Sequence, residues 1–184
     1  MFDSLLGRAS RLIQVCITSS YISEEQTEAV LRALNASTRL RRLNIGDKSR
    51  LTSLHLVGPD RLTRAARWLE ELNLQRTGVS ALQTEAILKV IASQNNIMKS
   101  LSLSDCARLT FGRYLSELST ELLARAATRL VSAKLSYIGL TSQQARAIFT
   151  ALCDLPSQLK CLVISDNDLS TVEPGLLARA IVIS

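Results

Sequence analysis

The residue types that carry most protein chemistry are sparse in this chain of 184 residues. His55 is the only histidine, and it stands between Leu54 and Leu56 with no cysteine or serine in an arrangement that builds a nucleophile–base pair. The four cysteines, Cys16, Cys106, Cys153 and Cys161, form no C-x-x-C pair, so neither a zinc site nor a dithiol couple is expected. There is no glycine-rich phosphate loop and no G-x-S-x-G elbow. The expectation is a protein that is not an enzyme, with no cofactor, no metal and no small-molecule substrate. Cys16 and Cys161 fall inside strand patterns and Cys106 at a turn, which reads as reduced thiols in a cytoplasmic protein rather than a disulfide framework.

Charge narrows the partner class. Lysine and arginine total 22 against 16 acidic residues, a net charge of +6 that favours acidic partners. The cations are nevertheless scattered among carboxylates rather than gathered in runs. A nucleic-acid surface needs a basic stripe with interleaved aromatics, and aromatics make up 4% of the chain. Only Arg50, Arg61, Arg64, Arg67 and Arg76, with Trp68 nearby, approach one, and Arg64 and Arg67 straddle the apolar Ala65 and Ala66 as solvated helix positions would. Nucleic-acid or anionic-lipid binding through a basic surface is therefore the alternative to protein binding. The N-terminus lacks a charged start followed by a long apolar stretch, and no run approaches a membrane span. Asn35-Ala-Ser37 is a glycosylation sequon, relevant only to a secreted protein.

What must position any binding groups is a repeat. Leu159-x-x-Leu162-x-Ile164-x-x-Asn167-x-Leu169 alternates apolar residues as a short strand does, and Asn167 sits where the chain turns. The same spacing starts at Leu12, Leu40, Leu69, Met98 and Leu130. With 47% hydrophobic residues and few aromatics, the core must be aliphatic, and about 29 residues per repeat leave room for a helix after each strand. We expect one domain over 1–184, with a flank at 1–11 and six repeats.

The repeats alternate. Those at Leu12, Leu69 and Leu130 enter their helices through capping boxes, Ser23-x-x-Gln26, Ser80-x-x-Gln83 and Thr141-x-x-Gln144. Their helices share an apolar stripe, Ala86, Ile87, Val90 and Ile91 matching Ala147, Ile148, Ala151 and Leu152. The intervening repeats share Asp47-x-x-Arg50-Leu51-Thr52 with Asp105-x-x-Arg108-Leu109-Thr110, and Pro59 and Pro174 fit near helix starts. Residues 52–58 break the spacing and are expected to form an irregular convex segment, with 110–118 as its longer counterpart, irregular or helical. The last repeat stops within its helix, which suggests a fragment of a longer array, or ends that self-associate.

Strand signature, repeat length and alternation together resemble the ribonuclease-inhibitor-like leucine-rich repeats, the family of cytosolic ribonuclease inhibitors and of the sensor regions of NOD-like (NACHT) receptors of innate immunity. The resemblance spans residues 12–181. It implies an α/β solenoid, a right-handed horseshoe arc with a parallel sheet on the concave side and helices on the convex side. The concave face would then bind a protein partner, in a ligand-sensing or autoinhibitory role. The residues expected on it are Arg41, Arg42, Asn44, Glu70, Glu71, Asn73, Arg76, Lys99, Lys134, Tyr137 and Lys160. Arg41 and Arg42 are placed to pair with Glu70 and Glu71, and these to face Lys99. A ribonuclease inhibitor would present an acidic, aromatic-rich surface to its basic enzyme, so this mixed face ranks that function below the others.

Overall fold

The three-residue strands follow from the spacing. A pleated strand sends alternate side chains to opposite faces, so L-x-L places one residue inward between two that point away. The computed structural model describes residues 12–18, 25–26, 29–30, 32, 39–46, 58–106 and 118–183. Among them are six strands: β1 (Gln14–Cys16), β2 (Arg42–Asn44), β3 (Glu71–Asn73), β4 (Ser100–Ser102), β5 (Ser132–Lys134) and β6 (Cys161–Val163). All pair in parallel, in sequence order, as one sheet. Five helices are described in full: α1 (Pro59–Ala66), α2 (Ala81–Ala92), α3 (Thr120–Arg129), α4 (Ser142–Asp154) and α5 (Pro174–Ile183). Each packs on the next along the chain. The chain is thus an α/β protein of stacked strand–helix units.

One file of residues holds the units in register: Val15, Leu43, Leu72, Leu101, Ala133 and Leu162. The four central members are at most 3% exposed. They share a core with Leu40, Leu69, Met98 and Leu130 before the strands, Ile45, Leu74, Leu103 and Leu135 after them, and Leu62, Ile87, Ile91, Leu123 and Ile148 from the helices. The helices therefore cover one face of the sheet. A smaller cluster of Ala145, Phe149, Val172 and Ala180, with Leu162 and Leu169 packed against it, closes the last unit.

The helix caps are those expected. Ser80 and Thr141 each accept from the N–H of the glutamine three residues on, while Gln83 and Gln144 accept from the cap residue's own N–H at 2.7 and 3.0 Å. Pro59 and Pro174 occupy first helical positions, where a missing N–H has no intrahelical partner to lose. The buried stripes are wider than the apolar pattern suggests: Gln83, Thr84 and Leu88 join α2's, and Gln144, Ala145 and Phe149 join α4's. Gln144 also donates Nε2–H to the Leu118 carbonyl of the preceding unit at 2.9 Å, so the cap cross-links two units.

Several expectations lie outside the described residues: the flank 1–11, the capping residue Ser23, Asp47, Arg50, His55, and residues 52–57 and 110–117. Among the described residues no helix is long and apolar enough to cross a membrane.

Candidate functional site

The sheet's outward face is arranged by a hydrogen-bond device that repeats at every junction. Just before each strand one carbonyl accepts from two successive N–H groups of the neighbour. The Arg41 carbonyl takes Glu70 and Glu71, Glu70 takes Lys99 and Ser100, and Lys99 takes Val131 and Ser132, at 2.7–3.0 Å. The outward side chains consequently stand in straight rows across the units.

The first row brings Arg41, Glu70 and Lys99 together. Lys99 Nζ lies 3.0 Å from one Glu70 oxygen, and Arg41 Nε 3.9 Å from the other. The Lys99 hydrogen bond, its charge and those of Arg41 and Arg42 hold the Glu70 carboxyl below its ordinary value of 4.5. In the second row Arg42 Nε meets Glu71 Oε1 at 3.1 Å. Both pairings agree with the sequence reading. Such exposed pairs contribute little to stability, but they neutralise these charges locally.

The third row, in strand register, is Cys16, Asn44, Asn73, Ser102, Lys134 and Val163. The Asn44 and Asn73 side-chain oxygens accept from the N–H of Gly46 and Gln75 at 3.1 and 2.9 Å, turns in which the asparagine ends its own strand. A Cβ on Gly46 would lie 2.6 Å from Asn73 Oδ1 and 2.9 Å from Gln75 N, so this close approach requires glycine. Ser102 is 6% exposed, although its place in the pattern suggests an open surface residue. Its side chain is short and lies in register between the longer Asn73 and Lys134. A hollow of about 200 Å³ lies here, lined by Arg42, Asn44, Glu71, Asn73, Ser100, Ser102 and Lys134 among others.

The fourth row leaves the strands. Arg76, Asp105, Tyr137 and Asp166 all have positive φ, between 53° and 62°, a conformation that costs non-glycine residues about 1 kcal/mol or more each. Cross-unit bonds hold three of them there: the N–H groups of Arg76, Asp105 and Tyr137 donate to the carbonyls of Ser104, Ser136 and Ser165 at 2.9–3.1 Å. Arg76 Nε pairs with Asp105 Oδ2 at 3.1 Å, and Tyr137 is exposed.

Behind this row the turn residues serve structure. Asn167 donates to the Leu135, Ile164 and Ser165 carbonyls and accepts from the Ile138 and Leu140 N–H groups. Thr77 donates to the Leu74 carbonyl at 2.6 Å, and the Cys106 thiol reaches the same carbonyl at 3.2 Å. Burial pushes the Cys106 thiol up to about 11, which leaves it protonated near neutrality and a poor nucleophile. Ile138 has no polar side chain, and Asn167 of the next unit bonds its N–H instead.

Lys160 and Lys134 are exposed, and no carboxylate among the described residues lies within 4 Å of either. The structure also draws attention to residues that strand reasoning missed. A hollow of about 1060 Å³ lies along the edge where helices run into strands. It is lined by Arg41, Glu70, Lys99, Arg125 and Arg129 with the exposed Ile97 and Leu155. Arg129 bridges units there by donating to the Ser93 carbonyl at 2.8 Å. The exposed Trp68 borders a neighbouring hollow with Arg67 and Lys89. The missed signal was basic residues in the last turns of the helices. No family model matches the chain, and no curated protein shows significant similarity to it.

Proposed function

We propose that the chain is a non-catalytic protein-interaction module, a leucine-rich-repeat solenoid of the ribonuclease-inhibitor-like kind that curves as a right-handed horseshoe arc. Its outward sheet face would be the concave side, docking a protein partner in the cytoplasm. The role of a ligand-sensing or autoinhibitory region of a NOD-like receptor follows from the same reading. The observation that carries it is the in-register file from Val15 to Leu162, flanked on every strand by outward side chains in straight rows. Strands stack closer than helices do, so repeating one of each bends such an array and leaves the sheet on the inside. Mixed charge in the ion-paired rows supports a general protein partner over a basic ribonuclease.

The test compares capture of cell proteins by the wild-type chain, by Lys99→Glu with Arg42→Glu, and by Arg64→Glu with Arg179→Glu on the helices. Proteins lost with the first variant and retained with the second support the sheet face. Retention of every captured protein by both would move the binding surface elsewhere.

A second reading has its own support in Trp68, 49% exposed beside Arg67 and Lys89, a composition suited to stacking nucleic-acid bases. Trp68 is the only tryptophan, so its fluorescence reports directly. Saturable quenching by a single-stranded oligonucleotide at physiological salt would favour this reading, and weak, non-saturating quenching would discard it.

A further inference from the structure

The cations of the outward face fall into two groups. Arg41, Arg42, Lys99 and Arg76 each stand within 4 Å of a carboxylate, whereas Lys134, like Lys160, has none among the described residues. Its register neighbour is Ser102, whose Oγ is the one buried side-chain oxygen or nitrogen without a hydrogen-bond partner among the described residues. An orphaned buried hydroxyl is unfavourable unless something else satisfies it. Next in register is Asn73, whose oxygen is engaged by Gln75 N–H, leaving its NH₂ as the group to offer. All three line the same hollow of about 200 Å³. Residues carrying an amide NH₂, a hydroxyl and an ammonium thus occupy matching positions on three adjacent strands, whose backbones lie roughly 4.8 Å apart. Two of them only donate, and the third can.

We infer that Asn73, Ser102 and Lys134 form a subsite for one carboxylate, supplied by an acidic side chain of the protein partner. This rests on the outward sheet face being the interaction surface. A carboxylate has only acceptors and a single negative charge, which matches one unpaired lysine. The Arg42–Glu71 pair on the hollow's other wall is neutral as a unit, and Glu71 opposes a more highly charged group such as a phosphate dianion. Ser102 is 6% exposed, so a carboxylate reaching it is desolvated, and its charge-assisted bonds strengthen accordingly.

The experiment uses the full chain labelled for amide NMR and a blocked hexaglutamate peptide as probe, with a twelve-residue oligouridylate in a parallel arm. The expected result is saturable peptide-induced shifts centred on Asn73, Ser102 and Lys134. Ser102→Ala and Lys134→Gln should each weaken binding roughly tenfold, and Lys160→Gln on the same face should leave it unchanged. Ser102→Ala should also raise the unfolding midpoint of the unliganded chain by about 2–4 °C, because an unsatisfied hydroxyl is removed. A lowered midpoint would show that the hydroxyl is satisfied within the fold and would overturn the proposal. Shifts centred on Arg41 and Arg42 and indifferent to Ser102→Ala would overturn the subsite while leaving the sheet face as the interaction surface. Shifts confined to the helices, or to the edge around Arg129, would overturn both. Tighter saturation of the row by oligouridylate, or no saturable shift with either probe, would reject the carboxylate.

Discussion

Two rows run side by side across the same strands and obey different rules. The file from Val15 to Leu162 is repetitive: every member is aliphatic, and the four central ones are buried against their neighbours in a shared core. The outward row from Cys16 to Val163 contains a thiol, two amides, a hydroxyl, an ammonium and an isopropyl group in turn. The first row is constrained by packing, where every methylene counts. The second is constrained only where an asparagine must end a strand, and elsewhere its chemistry is open to selection by a partner. On the proposed reading, architecture and recognition are therefore carried by residues one position apart.

The contrast breaks most readily at its centre. Leu101→Ala, at a fully buried position, should cost about 3–5 kcal/mol in urea unfolding, while Ser100→Ala next to it should stay within about 0.5 kcal/mol. Equal losses would mean that the two faces are not distinct. Asn167→Ala should cost about 3 kcal/mol, since it strips partners from carbonyls and N–H groups in two adjacent units. A loss below about 1 kcal/mol would make the turn residue dispensable.

Cys106 tests the buried side by titration. Its folded value, about 11, is raised above the ordinary 9.0, so the unfolded chain releases this proton first. Its contribution is complete below pH 9 and is lost as pH rises through 11, about 2–3 kcal/mol in all. Comparing alkaline unfolding of the wild type with Cys106→Ala checks this. At pH 8 a thiol reagent should label the exposed Cys16 and Cys161 and spare Cys106 until the chain unfolds. The smallest effect belongs to the outward pairs: a double-mutant cycle on Arg42 and Glu71, both about half exposed, should give a coupling of about 0.2–1 kcal/mol. A larger value would make the pair structural.

Legibility in the sequence follows the same division. Strand positions, the caps at Ser80 and Thr141 and the prolines at helix starts were all readable, because burial and backbone hydrogen bonding tolerate few residue types. Gln83 and Gln144 as core members were not, since amphipathic patterns count polar residues as exposed and these two are buried by bonding to backbone. Ion pairing among Arg41, Arg42, Glu70, Glu71 and Lys99 could be read from register alone. The burial of Ser102 could not, because it depends on the lengths of its neighbours in other units. The edge lined by Arg125 and Arg129 escaped for a related reason: it joins the ends of helices from different units, a relation no single repeat contains.

The bond from Gln144 to the Leu118 carbonyl ties one kind of unit to the other kind before it. Deleting a single unit would set two of a kind together and strip that glutamine of its acceptor, whereas deleting or duplicating two at once would preserve the seam. Genetic shuffling of this chain should accordingly conserve parity, with viable length variants differing by even numbers of units.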